Sequence, residues 1–429
     1  MDQLAALVSV LRGPTAGELL RMALEPGDVT LSAWKLEQVY ARPGAETTAL
    51  YQVETPGMPL TLVISTVSLT DQQRQAMGAV RAESVQGTVH IWAHPVDPEL
   101  PGLLVVEAGA EVGAGAEVCA GAEHRGSGTL EERLSRLLGE KCSITDLRRL
   151  VLRPLRRAVY RAVVSSVRGE RVLYLKVVRP AKVPGLLQRH RCSRLSPPAA
   201  DAGEGILVIP EAPGMPLTHH LYRPTPSTAR GGQAHHHEPV PRVHPKTITS
   251  ALDSLTPSAL ELPARESPAQ RHRGLEPGAI GAGADPQRVG KLGDDIAAKL
   301  STTPGPVVPT HGDFHPANLF LDQTASTPTA LIDADTVGPG YRVDDLATML
   351  GHLITLPSFN PAAYSAVPDL ARRFFSHCLI DHDPDELRAR TAAVLLSLLP
   401  GVESGEQREH YLHWAEQLVR DLSPADLLR

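Results

Sequence analysis

The sequence predicts an α+β fold with two lobes, preceded by an additional N-terminal α/β cap. In two blocks of the first half, β-branched and aromatic residues alternate with polar ones. The second half shows helical periodicity, and one compact polar motif lies within residues 310–350. These observations predict a cap over residues 1–125, a small antiparallel β lobe over 129–213 and a mainly helical lobe over 214–429.

Composition excludes several classes of protein. The chain has 429 residues, of which 42% are hydrophobic and 21% charged, as in ordinary globular proteins. Its net charge of −6 offers no general electrostatic case for a nucleic acid partner. No apolar run approaches the roughly 18 residues of a membrane span, and acidic Asp2 does not fit a signal peptide. We therefore expect a cytoplasmic protein without a membrane partner, and the oligomeric state stays open.

The elements of the first half follow from periodicity and turn residues. Apolar positions at helical spacing predict a short helix within residues 1–25, ending near Gly13-Pro14. Two β-rich stretches follow, and the Gly/Ala-rich run at 108–128 is interpreted as a domain boundary or linker. The block at 142–183 predicts an antiparallel hairpin or meander. A short basic helix (183–195) and a buried strand (206–214) complete this part.

The second half is mostly helical beyond one polar segment. Residues 223–247 have almost no apolar content and are predicted to form a mobile insertion. Its run His235–His237 suits either a transition-metal site or low-complexity sequence, and the composition favours the latter. The four cysteines show no metal-ligand spacing and are predicted to be reduced thiols. Three C-terminal helices are expected around 361–381, 384–399 and 405–422.

One internal repeat is suggested by an offset of 111 residues. This offset lays Arg42-Pro43 on Arg153-Pro154 and the apolar stretch 62–67 on 173–178. A degenerate duplication and two unrelated hairpins both remain open at the level of sequence. Under duplication, Ser65 takes the place of Lys176, the single charged residue of its strand.

The segment 310–350 carries the chemistry. Asp313 and Asn318 are five residues apart, with Pro316 between them excluding a continuous helix. A short apolar strand, a turn-rich loop and a second strand then lead to Asp333. A hairpin of this design returns Asp333 close to Asn318 and Asp313. Capping residues in a polar turn would explain any one of these side chains, but would explain the whole set poorly.

Such a set of oxygen-bearing side chains is what phosphoryl transfer needs. A carboxylate accepts a hydrogen bond from the attacking hydroxyl, and hard oxygen ligands hold Mg²⁺ against the phosphates of a nucleotide. The residues HGDFHPANLF resemble the HGDxxxxN loop of aminoglycoside phosphotransferases and their choline-kinase and homoserine-kinase relatives. IDADTVGPGYRVDDLA resembles the metal loop of the same family and the helix after it. The resemblance implies a bilobal protein-kinase-like fold and the cofactors ATP and Mg²⁺.

By that resemblance, Asp313 is the catalytic base, and Asn318, Asp333 and Asp335 are metal ligands. Asp345 would brace the catalytic loop, and His311 and His315 would be packing residues. Upstream, Lys176 matches the lysine that contacts the ATP phosphates, with an exposed edge lysine as the alternative. Backbone groups of Glu211 and Ala212 would bind adenine at the hinge.

Two departures from the family pattern are present. No Gly-rich loop precedes Lys176, and the presumed C-helix (183–195) contains no Glu to pair with it. Three alternatives stay open for the partner of Lys176: Glu204, a more distant acid, or the nucleotide alone. The sequence therefore predicts ATP-dependent phosphorylation of a hydroxyl on a small molecule such as an aminoglycoside, a sugar or an amino alcohol. The acidic run 381–386 would suit a cationic acceptor or a helix N-terminus. A Ser/Thr kinase of a precursor peptide and a non-catalytic nucleotide-binding scaffold remain as alternatives.

Overall fold

The structure is a computed structural model, and it describes residues 2–40, 46–84, 87–108, 128–223, 242–300, 304–402 and 404–420. It divides into two compact units. The first comprises residues 1–187 and 199–211, and the second comprises residues 188–198 and 212–429. Most of the predicted linker (109–127) and most of the predicted insertion (224–241), including His235–His237, lie outside the described residues. The three-part division predicted from the sequence stays a prediction.

The first unit contains two five-stranded antiparallel sheets. The N-terminal sheet has the order β1-β2-β3-β5-β4 and the second has the order β6-β7-β8-β10-β9. The elements are α1 (Asp2–Arg12), α2 (Thr15–Leu24), β1 (Ala33–Tyr40), β2 (Thr48–Glu54), β3 (Leu60–Ser65), α3 (Asp71–Met77), β4 (Val80–Ser84), β5 (Gly87–Ala93), α4 (Gly102–Ala108), α5 (Leu130–Leu138), β6 (Cys142–Arg153), β7 (Arg157–Ser166), β8 (Gly169–Val178), α6 (Val183–His190), β9 (Ala200–Asp201) and β10 (Ile206–Pro210).

The alternating sequence pattern explains the second sheet. Strand β7 buries every second side chain, as expected for a strand with one face on a core. Those side chains join a cluster that also includes Leu50, Val63 and Trp92 of the N-terminal sheet. Helix α5 begins at a capping box, in which Thr129 and Glu132 each satisfy a backbone N–H of the other. The two sheets therefore share one apolar core.

The second unit is mainly helical. Its elements are β11 (Met215–Pro216), α7 (Leu217–Leu221), α8 (Pro245–Ser250), α9 (His272–Gly281), α10 (Pro286–Lys299), β12 (Val307–Thr310), β13 (Leu319–Leu321), β14 (Pro328–Leu331), β15 (Gly338–Tyr341), α11 (Arg342–Phe359), α12 (Val367–Cys378), α13 (Pro384–Leu398) and α14 (Gly405–Val419). Helix α8 starts inside the predicted insertion, because His244 caps it by accepting the N–H of Lys246 and Pro245 fits its first turn.

The helices pack around one large apolar cluster, and α11 lies within it along most of its length. The acidic run 381–386 forms the start of α13: Asp383 accepts the N–H groups of Asp385 and Glu386 at 2.9 and 3.0 Å.

None of the helices in the described ranges combines the length and the apolar character that crossing a bilayer requires. The α+β class predicted from the sequence is confirmed.

Candidate active site

The loop that contains Asp313 is held by a buried carboxylate. Both oxygens of Asp345, on α11, accept backbone N–H groups of the loop, from His311 and Gly312, each at 2.8 Å. Burial raises the pKa of Asp345 to about 7, against the lowering effect of these two donors. Gly312 has a φ of +76°, and a Cβ atom there would lie 2.9 Å from the carbonyl oxygen of Thr336. The bracing role predicted for Asp345 is thus present, and only glycine fits the position it braces.

The loop brings Asn318 against Asp313. The side-chain amide of Asn318 donates to the backbone oxygen of Asp313 at 3.0 Å and to its carboxylate Oδ2 at 3.4 Å. Asn318 is buried, whereas the Asp313 side chain is 42% exposed. Because Nδ2 is turned to Asp313, Oδ1 is the amide atom that is left to act as an acceptor or ligand. The Asp313 carboxylate is therefore oriented by a neighbour and still accessible.

The hairpin places Asp333 beside Asn318. Strands β13 and β14 pair Leu319 with Leu331, and the N–H of Ile332 donates to the carbonyl of Asn318 at 2.9 Å. Asp333, the next residue, adopts a left-handed conformation with φ +58°, which Asp tolerates better than most residues. Asp335 follows in a short 3₁₀ turn. The three residues 313, 318 and 333 thus belong to one local backbone arrangement.

Two histidines, His311 and His315, lie in the same loop as Asp313. His311 is fully buried, and its Nε2 lies 3.0 Å from the carbonyl oxygen of Ile332. The ring of His315 stacks on His352 of α11 with 4.5 Å between centroids, and its Nε2 lies 3.8 Å from Oδ2 of Asp313. Burial lowers the pKa of each of the three histidines, and that of His352 falls to about 3. All three are therefore neutral near pH 7.

The side chains predicted from the sequence to bind the metal carry hard oxygen donors. Among the described residues, no group of three or more His, Cys, Asp and Glu side chains is arranged to hold a metal ion. An amide oxygen from Asn318 and the carboxylates of Asp333 and Asp335 are instead hard oxygen donors. Mg²⁺ in nucleotide sites takes one or two carboxylates and completes its shell with phosphates and water. Donors of these types suit such an ion, and the role of the three residues as its ligands stays a prediction.

The predicted nucleotide residues lie in both units. Lys176 is buried within β8, between Val159 of β7 and Leu207 of β10. Helix α6 contains no acidic residue, and the side chain of Glu204 is exposed. The N–H of Glu211 donates to the carbonyl of Val172 at 3.1 Å, so this donor is already occupied. Ala212 begins the second unit.

One charged network was missed by the sequence analysis. The guanidinium of Arg390, on α13, contacts the carboxylates of Asp344 and Glu386 and lies 5.6 Å over the ring of Tyr341. The Arg390 side chain is only 4% exposed. Burial raises the pKa of Asp344, and Arg390 counteracts that effect. Glu386 and Arg390, four residues apart near the start of α13, were the available signal in the sequence.

The chain is similar to known phosphotransferases. A model of the phosphotransferase enzyme family matches residues 198–374. A search of curated proteins gave no match. Among solved structures, a thermostable mutant of the aminoglycoside phosphotransferase APH(4)-Ia, in complex with ADP and hygromycin B, is 14% identical with a TM-score of 0.45. The alignment covers 68% of this chain and 98% of that one.

Two further structures show a similar degree of likeness. The macrolide 2'-phosphotransferase MphH from Brachybacterium faecium is 19% identical, with 66% of this chain and 96% of that chain covered and a TM-score of 0.36. A choline/ethanolamine kinase family protein from Mesorhizobium loti is 16% identical, with 70% and 96% covered and a TM-score of 0.42. The match over residues 198–374 confirms the resemblance seen in the loop sequences: this chain resembles the phosphotransferase enzyme family.

Proposed function

We propose that the protein is an ATP- and Mg²⁺-dependent kinase that phosphorylates a hydroxyl group of a small molecule. The observation that carries the proposal is the contact between Asn318 and Asp313 at the base of a hairpin that returns to Asp333. The family match over residues 198–374 supports the same chemistry. Asp313 accepts a hydrogen bond from the acceptor hydroxyl and takes its proton as the phosphoryl group is transferred.

The surrounding residues prepare Asp313 for this role. The amide of Asn318 fixes the orientation of the carboxylate, and Asp345 fixes the backbone that carries it. Burial lowers the pKa of His315, so its ring, 3.8 Å from Oδ2 of Asp313, is neutral near pH 7 and forms no ion pair with that carboxylate. Asn318, Asp333 and Asp335 would hold Mg²⁺, which neutralises charge on the phosphates when bound. Lys176 would contact the ATP phosphates. Because the N–H of Glu211 is occupied by Val172, the adenine would be left with the carbonyl oxygen of Glu211 and the backbone of Ala212.

The test is ADP release from Mg-ATP in the presence of candidate acceptors. Replacing Asp313→Asn keeps the size of the side chain and removes the base, so we expect kcat to fall by about 10²–10⁴-fold, the usual contribution of general base catalysis. Binding of ATP should change little. The matched control is Asp253→Asn, at an exposed position, which should retain wild-type activity.

The panel of acceptors should include Ser/Thr peptides. Asp313-dependent phosphorylation of a peptide in preference to every small molecule would replace the proposed acceptor class. Binding of ATP with no turnover that depends on Asp313 would indicate a nucleotide-binding scaffold and would contradict the proposal.

A further inference from the structure

The turn between β6 and β7 lies at the end of the second sheet that is close to Lys176. Arg157, the first residue of β7, pairs with Val178, and Val159 pairs with Lys176. The turn is therefore roughly 7 Å along the strand from the lysine, at about 3.3 Å per residue. In protein kinases a Gly-rich loop covers the phosphates of the nucleotide. The turn here, residues 154–156, contains no glycine.

The backbone of Leu155, in the middle of the turn, is held by two residues outside it. Its N–H donates to Oδ2 of Asp97 at 2.8 Å, and its carbonyl oxygen accepts the Nε–H of Arg179 at 3.0 Å. Leu155 has a φ of +66°, a left-handed conformation that such a residue keeps only where its surroundings hold it. Its side chain is buried in the apolar core together with Leu100 and Leu103. Contacts with distant residues thus fix the shape of this turn.

Asp97, the residue that accepts the N–H of Leu155, is itself held in place. It is 8% exposed, and its Oδ1 accepts the N–H groups of Glu99 and Leu100 at 2.9 and 3.1 Å. The carboxylate of Glu99 in turn lies 3.0 Å from Nε of Arg179. The two groups that hold Leu155 are therefore connected to each other through Glu99.

Two further contacts reach the turn and its flanks from the N-terminal part of the chain. The hydroxyl of Tyr40 donates to the carbonyl of Leu152 at 2.7 Å. The guanidinium of Arg156 pairs with the carboxylate of Glu46 at 2.8 Å. Tyr40 and Glu46, like Asp97, belong to the cap predicted from the sequence. The predicted cap therefore holds the turn at several separate points.

We propose that the predicted cap is part of the nucleotide site, with Asp97 as a positioning residue that holds the β6–β7 turn in the conformation that contacts the phosphates of ATP. The inference rests on the proposed function and adds to it a role for the N-terminal residues. A flexible loop loses conformational entropy when it orders on a ligand, and a turn fixed beforehand avoids that loss. The turn also sets the position of Arg157. Because alternate side chains of a strand share a face, Arg157 lies on the same face as Val159 and its partner Lys176.

The experiment measures binding of ATP in the presence of Mg²⁺ by calorimetry on the purified full-length protein, and so needs no acceptor. In Asp97→Asn the amide oxygen keeps the N–H groups of Glu99 and Leu100, while the amide nitrogen faces the N–H of Leu155 and cannot accept it. We expect Kd for ATP to rise about tenfold, as follows when the released turn adopts the binding conformation about a tenth of the time. Hydrogen exchange of residues 152–157 without ATP should also become faster, and ATP should restore protection. A merely structural role for Asp97 would lower stability and leave Kd unchanged.

Arg179→Met is a second variant that releases the turn from its other side. Its side chain is 38% exposed, so this variant decides the question where Asp97→Asn fails to fold. It removes the donor to the carbonyl of Leu155 and the pair with Glu99. Kd for ATP should again rise, and exchange in the turn should again become faster.

The matched controls lie at the opposite ends of the same strands. Glu131 accepts the N–H of Ile144 near the start of β6 at 2.7 Å, and Arg171 pairs with Glu140 near the start of β8 at 2.7 Å. Glu131→Gln and Arg171→Met make the same kinds of change as the two test variants. Neither should alter Kd for ATP or hydrogen exchange in the turn.

The outcomes separate this inference from the kinase proposal. A Kd within about twofold of wild type in the folded test variants, unchanged exchange in the turn, or an equal loss of affinity in the controls would overturn the role of the cap and leave the kinase function intact. ATP binding without phosphoryl transfer that depends on Asp313 would contradict the proposed function alone. Failure of the wild-type protein to bind ATP would overturn both.

Discussion

The two sheets of the first unit share a topology, but a buried serine of the first sheet takes the place of a buried lysine of the second. Their strand orders are equivalent, β1-β2-β3-β5-β4 and β6-β7-β8-β10-β9. Their register is also equivalent: adding 111 to both members of the pair Thr48–Ser65 gives Val159–Lys176, and all six pairs between β2 and β3 recur in this way between β7 and β8. This agreement favours duplication over two unrelated hairpins as the explanation of the sequence offset.

The two equivalent side chains, Ser65 and Lys176, are both buried but differ in charge. Ser65 is 1% exposed, its hydroxyl lies 2.8 Å from that of Thr48, and it accepts the N–H of Val67. Lys176 is also buried, at 7% exposure, but carries a charge. The backbone arrangement therefore persists without the lysine, and the chemistry proposed for the second sheet depends on a side chain that the first lacks.

The largest expected effect is the loss of stability caused by Ser65→Lys, which gives the first sheet the lysine of the second. Ser65→Lys places an ammonium group in a site that now holds two hydroxyls and no described carboxylate partner. An uncompensated buried charge destabilises a fold by about 3–5 kcal/mol. Denaturant unfolding should show this loss, and Ser65→Ala should lose only about 1 kcal/mol, the value of a hydrogen bond. Equal stability of Ser65→Lys and wild type would mean that the two sites are interchangeable.

The second-largest expected effect is a loss of catalytic activity on replacement of Lys176. Lys176→Met keeps an unbranched side chain and removes the charge, so we expect kcat/KM for ATP to fall by about 100-fold, as when one charge-stabilising donor is removed. The matched substitution Lys35→Met, at an exposed position of β1, should leave kcat/KM unchanged. If both variants were fully active, the proposed contact of Lys176 with the phosphates would be wrong.

The smallest expected effect is a difference in stability between alanine variants of two glycines. Gly87 is the first residue of β5, and Gly205 directly precedes β10. Both have positive φ, +118° at Gly87 and +81° at Gly205. A Cβ atom at Gly205 would lie 2.1 Å from the carbonyl oxygen of Val178, whereas Gly87 has nothing within 4 Å. Gly87→Ala should cost about 1 kcal/mol from backbone strain alone, and Gly205→Ala about 1–3 kcal/mol more from overpacking. Thermal unfolding of the two variants measures the difference.

The local part of the candidate site could be predicted from sequence. The spacing from Asp313 to Asn318, and the two short strands before Asp333, are enough to specify a loop and a hairpin. The bounds of the three C-terminal helices were predicted to within six residues, because caps such as Asp383 and apolar periodicity are local signals. The possible repeat was visible in the sequence as an offset of 111, and the structure adds an equivalent strand register, which favours duplication.

The rest depended on contacts between distant residues. Arg390 reaches Asp344 across 46 positions of sequence, and His352 stacks on His315 from another helix. Asp97 reaches the N–H of Leu155 across 58 positions. Such contacts follow from how separate elements pack, and packing is a collective property that no short pattern encodes. The sequence by itself therefore determined the type of chemistry, while the tertiary structure decided which distant residues hold the loop of Asp313 and the β6–β7 turn.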